Sequence, residues 1–183
     1  MSLSVKCEDS YEQIKRLKDL LINVLIMSWK TYSGVPLKDA LPIEVDKVLK
    51  NFKTQQRAIK ICIGTDSQVR GNIIDMVTVI VFQVIGNGGF MYVNKQRLRQ
   101  RMAMRERMMT EVSASIQTAY EIADICASYG VEMEIHADIN TDPKFQSNQA
   151  YADAMGYTKG MGYVFKSKPD AFASSVCADK LLH

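Results

Sequence analysis

Asp66 and Asp138 each close a stretch of alternating residue types in this 183-residue chain. Ile59, Ile61 and Ile63 alternate with Lys60, Cys62 and Gly64 ahead of Asp66. Val131, Met133, Ile135 and Ala137 alternate with Glu132, Glu134 and His136 ahead of Asp138. Period two reads as β-strand, so both carboxylates are expected at the carboxyl end of a strand, where α/β sheets bind ligands. Glu111 borders the apolar stripe of a long helical segment, and Asp170, in Lys168-Pro169-Asp170, opens the last one. If 59–66 and 131–138 are parallel neighbours, the four acids converge. Two carboxylates ~5 Å apart repel by about 3 kcal/mol at an effective dielectric of about 20. Either some are protonated or a divalent cation neutralises them. An oxygen-only donor set suits Mg2+ or Mn2+, and a pair of such ions activates water and stabilises the leaving oxygen in phosphodiester cleavage.

Each acid taken singly has a plainer explanation. Asp66 in Gly64-Thr65-Asp66-Ser67 fits an Asx turn, Asp170 a helix-terminal carboxylate, and Glu111 a solvated residue or an arginine partner. Asp138 is the hardest to explain structurally. Asp179 lies nine residues after Asp170, about 900° of helical turn and so on the opposite face; both cannot reach one metal, and Asp170, beside the strand end, is taken as the fourth ligand. His136 shares a strand face with Asp138; it could contact a phosphate or shuttle a proton, or be a hydrogen-bonded structural histidine. No Gly-x-Ser-x-Gly elbow or phosphate-binding Gly-Lys-Ser/Thr loop occurs, which excludes the common serine hydrolase and P-loop classes.

Charge is distributed unevenly. Residues 95–107 carry six Lys or Arg against one Glu, whereas 108–183 carry five Lys against ten Asp or Glu. Such a block is either a solvated helix face or a set of phosphate contacts. Arg97, Arg101 and Arg105 stand at i, i+4 and i+8, on one side of a helix if it begins that early. With Lys168 they are the candidate substrate contacts.

The elements that must position these groups follow from periodicity. Residues 9–31 read as an amphipathic helix stopped by Gly34 and Pro36, and a shorter helix opens at Pro42. After 59–66, a β-rich stretch over 72–85, the Gly86-Asn87-Gly88-Gly89 turn and a strand over 90–93 form a meander. A helix over 96–129 ends at Gly130, with Met108, Val112, Ile116, Ala119, Ala123 and Cys126 on its apolar stripe. Strand 131–138, a helix near 147–155, a strand near 160–166 and a helix from Pro169 complete the order. The expectation is a mixed five-stranded α/β sheet over 58–183, β-β-β-α-β-α-β-α, with residues 1–57 as a helical extension packed on the core. The N-terminal amphipathic helix either covers the sheet or forms a homodimer contact.

Apolar residues make up 47% and charged residues 23%, a balance that fits one globular core rather than a disordered chain. No apolar run approaches bilayer-spanning length, so no membrane partner is expected. Cysteines at 7, 62, 126 and 177 form no CxxC pair, and no secretory leader opens the chain. A cytoplasmic setting without a disulfide framework or structural zinc follows as an expectation.

Several motifs together resemble the YkuK family, a bacterial group of ribonuclease H-like proteins. They are Ile63-Gly64-Thr65-Asp66-Ser67-Gln68, Glu111 with Ser115, Ile135-His136-Ala137-Asp138-Ile139, Gly156-Tyr157 with Gly160-Met161-Gly162, and Lys168-Pro169-Asp170-Ala171 with Ser174-Ser175 and Ala178-Asp179-Lys180. The likeness spans roughly 59–181. It implies a ribonuclease H-like fold, whose enzymes use two Mg2+ ions to cut nucleic acid. It places Asp66 as the first-strand metal-bridging aspartate, Glu111 as the first-helix glutamate, Asp138 as the fourth-strand aspartate and Asp170 as the last-helix carboxylate. A nucleic-acid-binding or scaffold protein that performs no cleavage on the same fold is the alternative.

Overall fold

A computed structural model describes residues 29–182. The elements are β1 (Lys30–Thr31), α1 (Leu41–Thr54), β2 (Ile59–Arg70), β3 (Ile73–Val84), β4 (Gly89–Leu98), α2 (Met104–Tyr129), β5 (Met133–Ala137), α3 (Tyr151–Gly160) and β6 (Val164–Lys166). A π-helical turn, Ala173–Ala178, and a 3-10 turn, Asp179–Leu181, follow. One mixed sheet runs β1-β4-β3-β2-β5-β6. Its β2–β3–β4 meander is antiparallel, and β5 and β6 join in parallel beyond β2.

Residues 58–183 thus supply the five expected strands in the expected order, and β1 adds a sixth along β4. Most of the helix expected over 9–31 lies outside the described residues, but its last positions do not continue a helix. Lys30 and Thr31 pair with Val93 and Tyr92. The start of the long helix is also corrected. β4 runs on to Leu98 because Asn94, Gln96 and Leu98 keep pairing with Thr78, Met76 and Ile74, and α2 begins only at Met104. The Glu106 carboxylate accepts the Ala103 N–H there, and Gly130 closes the helix at φ 65°, a left-handed conformation suited to glycine.

Alternation along β2 divides the molecule into two layers. Ile61 and Ile63 face α1, α2 and α3, where Leu41, Val45, Leu49, Val112, Ile116 and Ile122 complete the main core. Cys62 and Gly64 face the terminal helical segment, where Cys62, Val77, Val79, Val81, Ala173 and Ala178 form a second, smaller cluster. Gly64 is required by that approach. A Cβ there would stand 2.4 Å from the Ser174 nitrogen and 2.6 Å from the Ala173 carbonyl carbon. Overpacking against backbone costs about 1–3 kcal/mol or more. Gly64→Ala is therefore expected to lower the unfolding free energy by about that much, shifting the urea midpoint down, and to expose the terminal segment to limited proteolysis. An unchanged midpoint would mean that the segment docks loosely.

Candidate active site

The parallel pairing of β2 with β5 ends at Thr65 opposite Ala137. Beyond it β5 turns away sharply: the Ile139 N–H donates to the Ala137 carbonyl at 2.7 Å, with Asp138 at the tip. β2 continues to Arg70, paired only with β3, so Asp66 lies inside the strand rather than at its end. Asp66 and Asp138 are thus the first residues past the split, one on each strand, and the gap between strands opens beside both. Asp66 is buried and half-occupied by its own turn, since the Ser67 N–H donates to its Oδ1 at 2.8 Å. Burial pushes its pKa up to about 6 against that hydrogen bond, helped by the charges of Asp138 and Asp179.

On the α2 side a polar ladder crosses the layer. The Thr65 hydroxyl shares hydrogen bonds with the hydroxyls of Thr78, at 3.0 Å, and Ser115, at 2.8 Å. Two residues further along β2, Ser67 Oγ donates to Glu111 Oε1 at 2.6 Å. Arg107, a turn before Glu111, donates from Nη1 to the Ser67 carbonyl at 2.8 Å, to Ser67 Oγ at 3.0 Å and to Glu111 Oε1 at 3.0 Å. Two strand residues rise about 6.6 Å and four helical residues about 6 Å, so rungs at 65–115 and 67–111 stay in step. Burial pushes the Glu111 carboxyl up to about 8, against the pull of Ser67 and Arg107.

The sequence candidates meet different fates. Asp66 and Asp138 are brought together at the split, and the charges of both act on Glu111. Asp170 sits exposed in the turn after Pro169, its N–H on the Ser167 carbonyl. The terminal-segment carboxylate that acts on Asp66 is instead Asp179. The regular 100° helical phase that favoured Asp170 does not apply, because Asp170 precedes the helix and the next turn winds as a π-helix. His136 is buried beneath that segment with both ring nitrogens engaged. Nδ1 accepts the Ala173 N–H at 3.2 Å, and Nε2 lies 3.2 Å from Glu134 Oε2. Lys168 sits beside Asp138, its Nζ 2.8 Å from Oδ1.

Arg97, Arg101 and Arg105 do not share a helix face. Arg97 lies on β4 and pairs with Asp75 at 2.6 Å; Arg101, in the connector, donates to Asn72 Oδ1 at 2.7 Å; Arg105, in the first turn of α2, pairs with Asp153. Arg107, within the same basic block, is the arginine that reaches the carboxylates. Its signal was available as an Arg–Glu pair at i, i+4.

A separate buried network lies on the terminal-segment face. Ligand atoms of Cys62, Glu134 and His136 fall within 4.8 Å of one another, and Lys60 Nζ holds Glu134 Oε1 at 2.6 Å. It does not suit a cation. With Nδ1 accepting a backbone N–H, a neutral imidazole carries its proton on Nε2, the atom that would have to ligate. Burial and Glu134 push the Cys62 thiol up to about 12, far from thiolate. The acids at the split fit a divalent cation better. Their donors are all oxygen, and Asp138 Oδ1 is buried without an aligned hydrogen bond although the Lys168 ammonium stands close.

A mixed sheet with an antiparallel three-strand meander, two parallel strands added beside its first strand, and acids at the split defines a ribonuclease H-like α/β protein. The family described as Ribonuclease H-like matches residues 44–182, and the chain belongs to it. No curated protein matches the sequence. Among solved structures it is similar to RNase H1 from the halophilic archaeon Halobacterium salinarum NRC-1, at 16% identity over 62% of this chain and 89% of that one, TM-score 0.35. It is also similar to the N-terminal RNase H domain of a Mycobacterium tuberculosis protein fused to maltose-binding protein, at 13% identity over 68% and 94%, TM-score 0.36.

The raised carboxyls fix a pH dependence. An acid whose pKa rises on folding binds more protons in the native state, so stability falls as pH rises between the two values. For Asp66 the window runs from 3.8 to about 6, and for Glu111 from 4.5 to about 8. At 1.36 kcal/mol per unit the Asp66 loss is at most about 3 kcal/mol. Asp66→Asn is expected to raise unfolding free energy in urea by about 1–3 kcal/mol at pH 8 and to leave it nearly unchanged at pH 4. Equal effects at both pH values would contradict a buried, charge-repelled Asp66.

Proposed function

We propose that this protein is a divalent-cation-dependent nuclease that cleaves nucleic-acid phosphodiester bonds, with residues 58–183 as the nuclease domain and 1–57 as an extension upon it. The observation that carries the reading is the position of buried Asp66 and half-buried Asp138, one on each strand, at the split between β2 and β5. Mg2+ or Mn2+ would be held by Asp66 and Asp138 with Asp179 beside them, and a second ion would call on Glu111. Such ions supply an activated water and stabilisation of the leaving oxygen.

The chain's own groups do the positioning. The Ser67 N–H fixes one Asp66 oxygen, and the other would be the one to meet a cation. Lys168, 43% exposed, is the cation best placed to meet a scissile phosphate, since it already stands at Asp138. Arg97 lies two strands across from β2 and two residues past Asp66, about 12 Å by sheet spacing. Arg101 continues beyond it, so both can track a bound strand away from the split. Arg105, held by Asp153, is the outermost of the three.

Nucleic-acid binding without cleavage remains the second reading, and one observation favours it. Arg107 and Lys168 already give Glu111 and Asp138 positive partners without a metal. Labelled RNA, DNA and hybrid substrates incubated with Mg2+ or Mn2+ separate the two. Metal-dependent cleavage that drops at least about 100-fold in Asp66→Asn and Asp138→Asn is expected, the scale of removing a main transition-state electrostatic group. Metal-independent binding with no turnover on any substrate would decide for the non-catalytic reading. Arg101→Ala should weaken binding and make its log–log salt slope shallower by about 0.7–0.9, the effect of one phosphate contact; an unchanged slope would remove the basic block from the interface.

A further inference from the structure

The carboxylates around the split are not equivalent. Side chains alternate across β2, so Asp66 points to the terminal-segment face with Cys62 and Gly64, whereas Ser67 points to α2 with Thr65. Asp179 belongs to the terminal segment, and Asp138, at the turn just past β5, acts on Asp66 through its charge and is held by Lys168. These three acids therefore gather on one side of the strand, and Glu111 stands across it. There Glu111 Oε1 is already saturated: it accepts the Ser67 hydroxyl at 2.6 Å and Arg107 Nη1 at 3.0 Å. Arg107 is itself held in place. Nη1 also donates to the Ser67 carbonyl and hydroxyl, Nη2 lies 3.3 Å from Met104 Sδ, and the side chain is 15% exposed against 4% for Glu111.

A guanidinium so placed does what a cation would do at Glu111: it neutralises the carboxylate and orders it. It is permanently charged, so it cannot step aside by losing a proton. A divalent ion drawn to Glu111 must break the Arg107 contact at Oε1 or sit beside that fixed, part-buried charge. Among the described residues no cation hydrogen-bonds Asp66, on which Arg107 acts only through its charge; Lys168 is on Asp138, is 43% exposed and can withdraw into water.

We propose that Arg107 is a positioning residue that occupies Glu111 in place of a divalent ion, so that the free protein loads one ion on the Asp66 side of β2 and not two. The inference rests on the metal-dependent reading above and adds which half of the site is open. In the free protein Glu111 is reserved by the chain's own cation, and the order in which ions enter is set by which acids carry an internal partner.

Calorimetric titration of the full chain with Mn2+ alone reads this directly, with circular dichroism confirming that each variant folds. The wild type is expected to bind one ion per chain. Arg107→Gln, which keeps a hydrogen-bond donor but removes the charge, should bind two. Arg107→Lys, which keeps the charge, should return the count to one. Glu111→Gln should leave the affinity of the single ion within about twofold, because that ion does not use Glu111. Two ions in the wild type, one ion in a folded Arg107→Gln, or a Glu111→Gln that abolishes the first site would each overturn the proposal. Should Arg107→Gln not fold, the Glu111→Gln titration decides. Absence of binding in every variant would instead sink the metal-dependent reading itself, and this proposal with it, whereas the other failures leave that reading standing.

Discussion

Everything near the split depends on the buried polar ladder between β2 and α2. Thr78, Thr65 and Ser115 form one rung, and Ser67, Glu111 and Arg107 the next. Each bond contributes only about 1 kcal/mol net, but leaving one of these buried groups unpaired costs about 1–3 kcal/mol. The ladder therefore acts less as glue than as a register pin. A helix packed only by Val112, Ile116 and Ile122 could slide or rotate by part of a turn with modest loss. A helix that must also match Ser115 to Thr65 and Glu111 to Ser67 cannot. The side chain of Ser67 fixes Glu111 while its own N–H fixes Asp66, so one residue couples the acids on the two faces of the strand.

The opposite face is pinned by contact rather than by hydroxyls. Gly64 lets the terminal backbone sit directly on β2, and the close approach fixes the height of Asp179 relative to Asp66. Lys60, Glu134 and His136 stiffen the same layer. Burial disfavours the Glu134 carboxylate, yet Lys60 and His136 outweigh it and hold the pKa below the ordinary range. His136 then carries the layer upward through the Ala173 N–H and an edge contact with the Phe172 ring at 4.8 Å between centroids. Its role in the fold is to seat the segment that carries Asp179.

The sequence of elements, the meander and a parallel strand over 131–138 were legible because period-two alternation is strong there and the chain offers few other topologies; that this strand lies beside 59–66 was only a condition. The end of β4 was not. Lys95, Arg97 and Gln96 read as a solvated helix start, but among the described residues no strand pairs with the outer edge of β4 beyond residue 93, and Lys95 and Arg97 are exposed. Its charged positions are therefore tolerated, and Arg97 finds Asp75 across the strand. That misplacement put three arginines on a helix face that does not exist and hid Arg107, whose value depends on helix phase. Asp179 was set aside for a related reason. A π-helical turn changes the angle per residue, and nothing in the residue types of 173–178 announces one. His136 was ambiguous by nature, since a neutral buried histidine and a proton shuttle look alike until the partners of both nitrogens are known.

The same geometry explains how one small domain tolerates so many acids in one place. Coulomb repulsion among close carboxylates must be met by protons, by metals or by the chain's own cations. Here the answer differs from one acid to the next. Glu111 has an arginine that cannot deprotonate, and Asp138 has a lysine that can swing into water. Among the described residues Asp66 has neither ammonium nor guanidinium in hydrogen-bond contact, just the Ser67 N–H, and so its carboxyl is driven up towards neutrality by burial and by its acidic neighbours. The acid with the weakest internal compensation is the one with most to gain from an added cation. That gradient, from reserved Glu111 through shared Asp138 to unmet Asp66, points an incoming divalent ion to the split between β2 and β5, where the opened sheet gives it room.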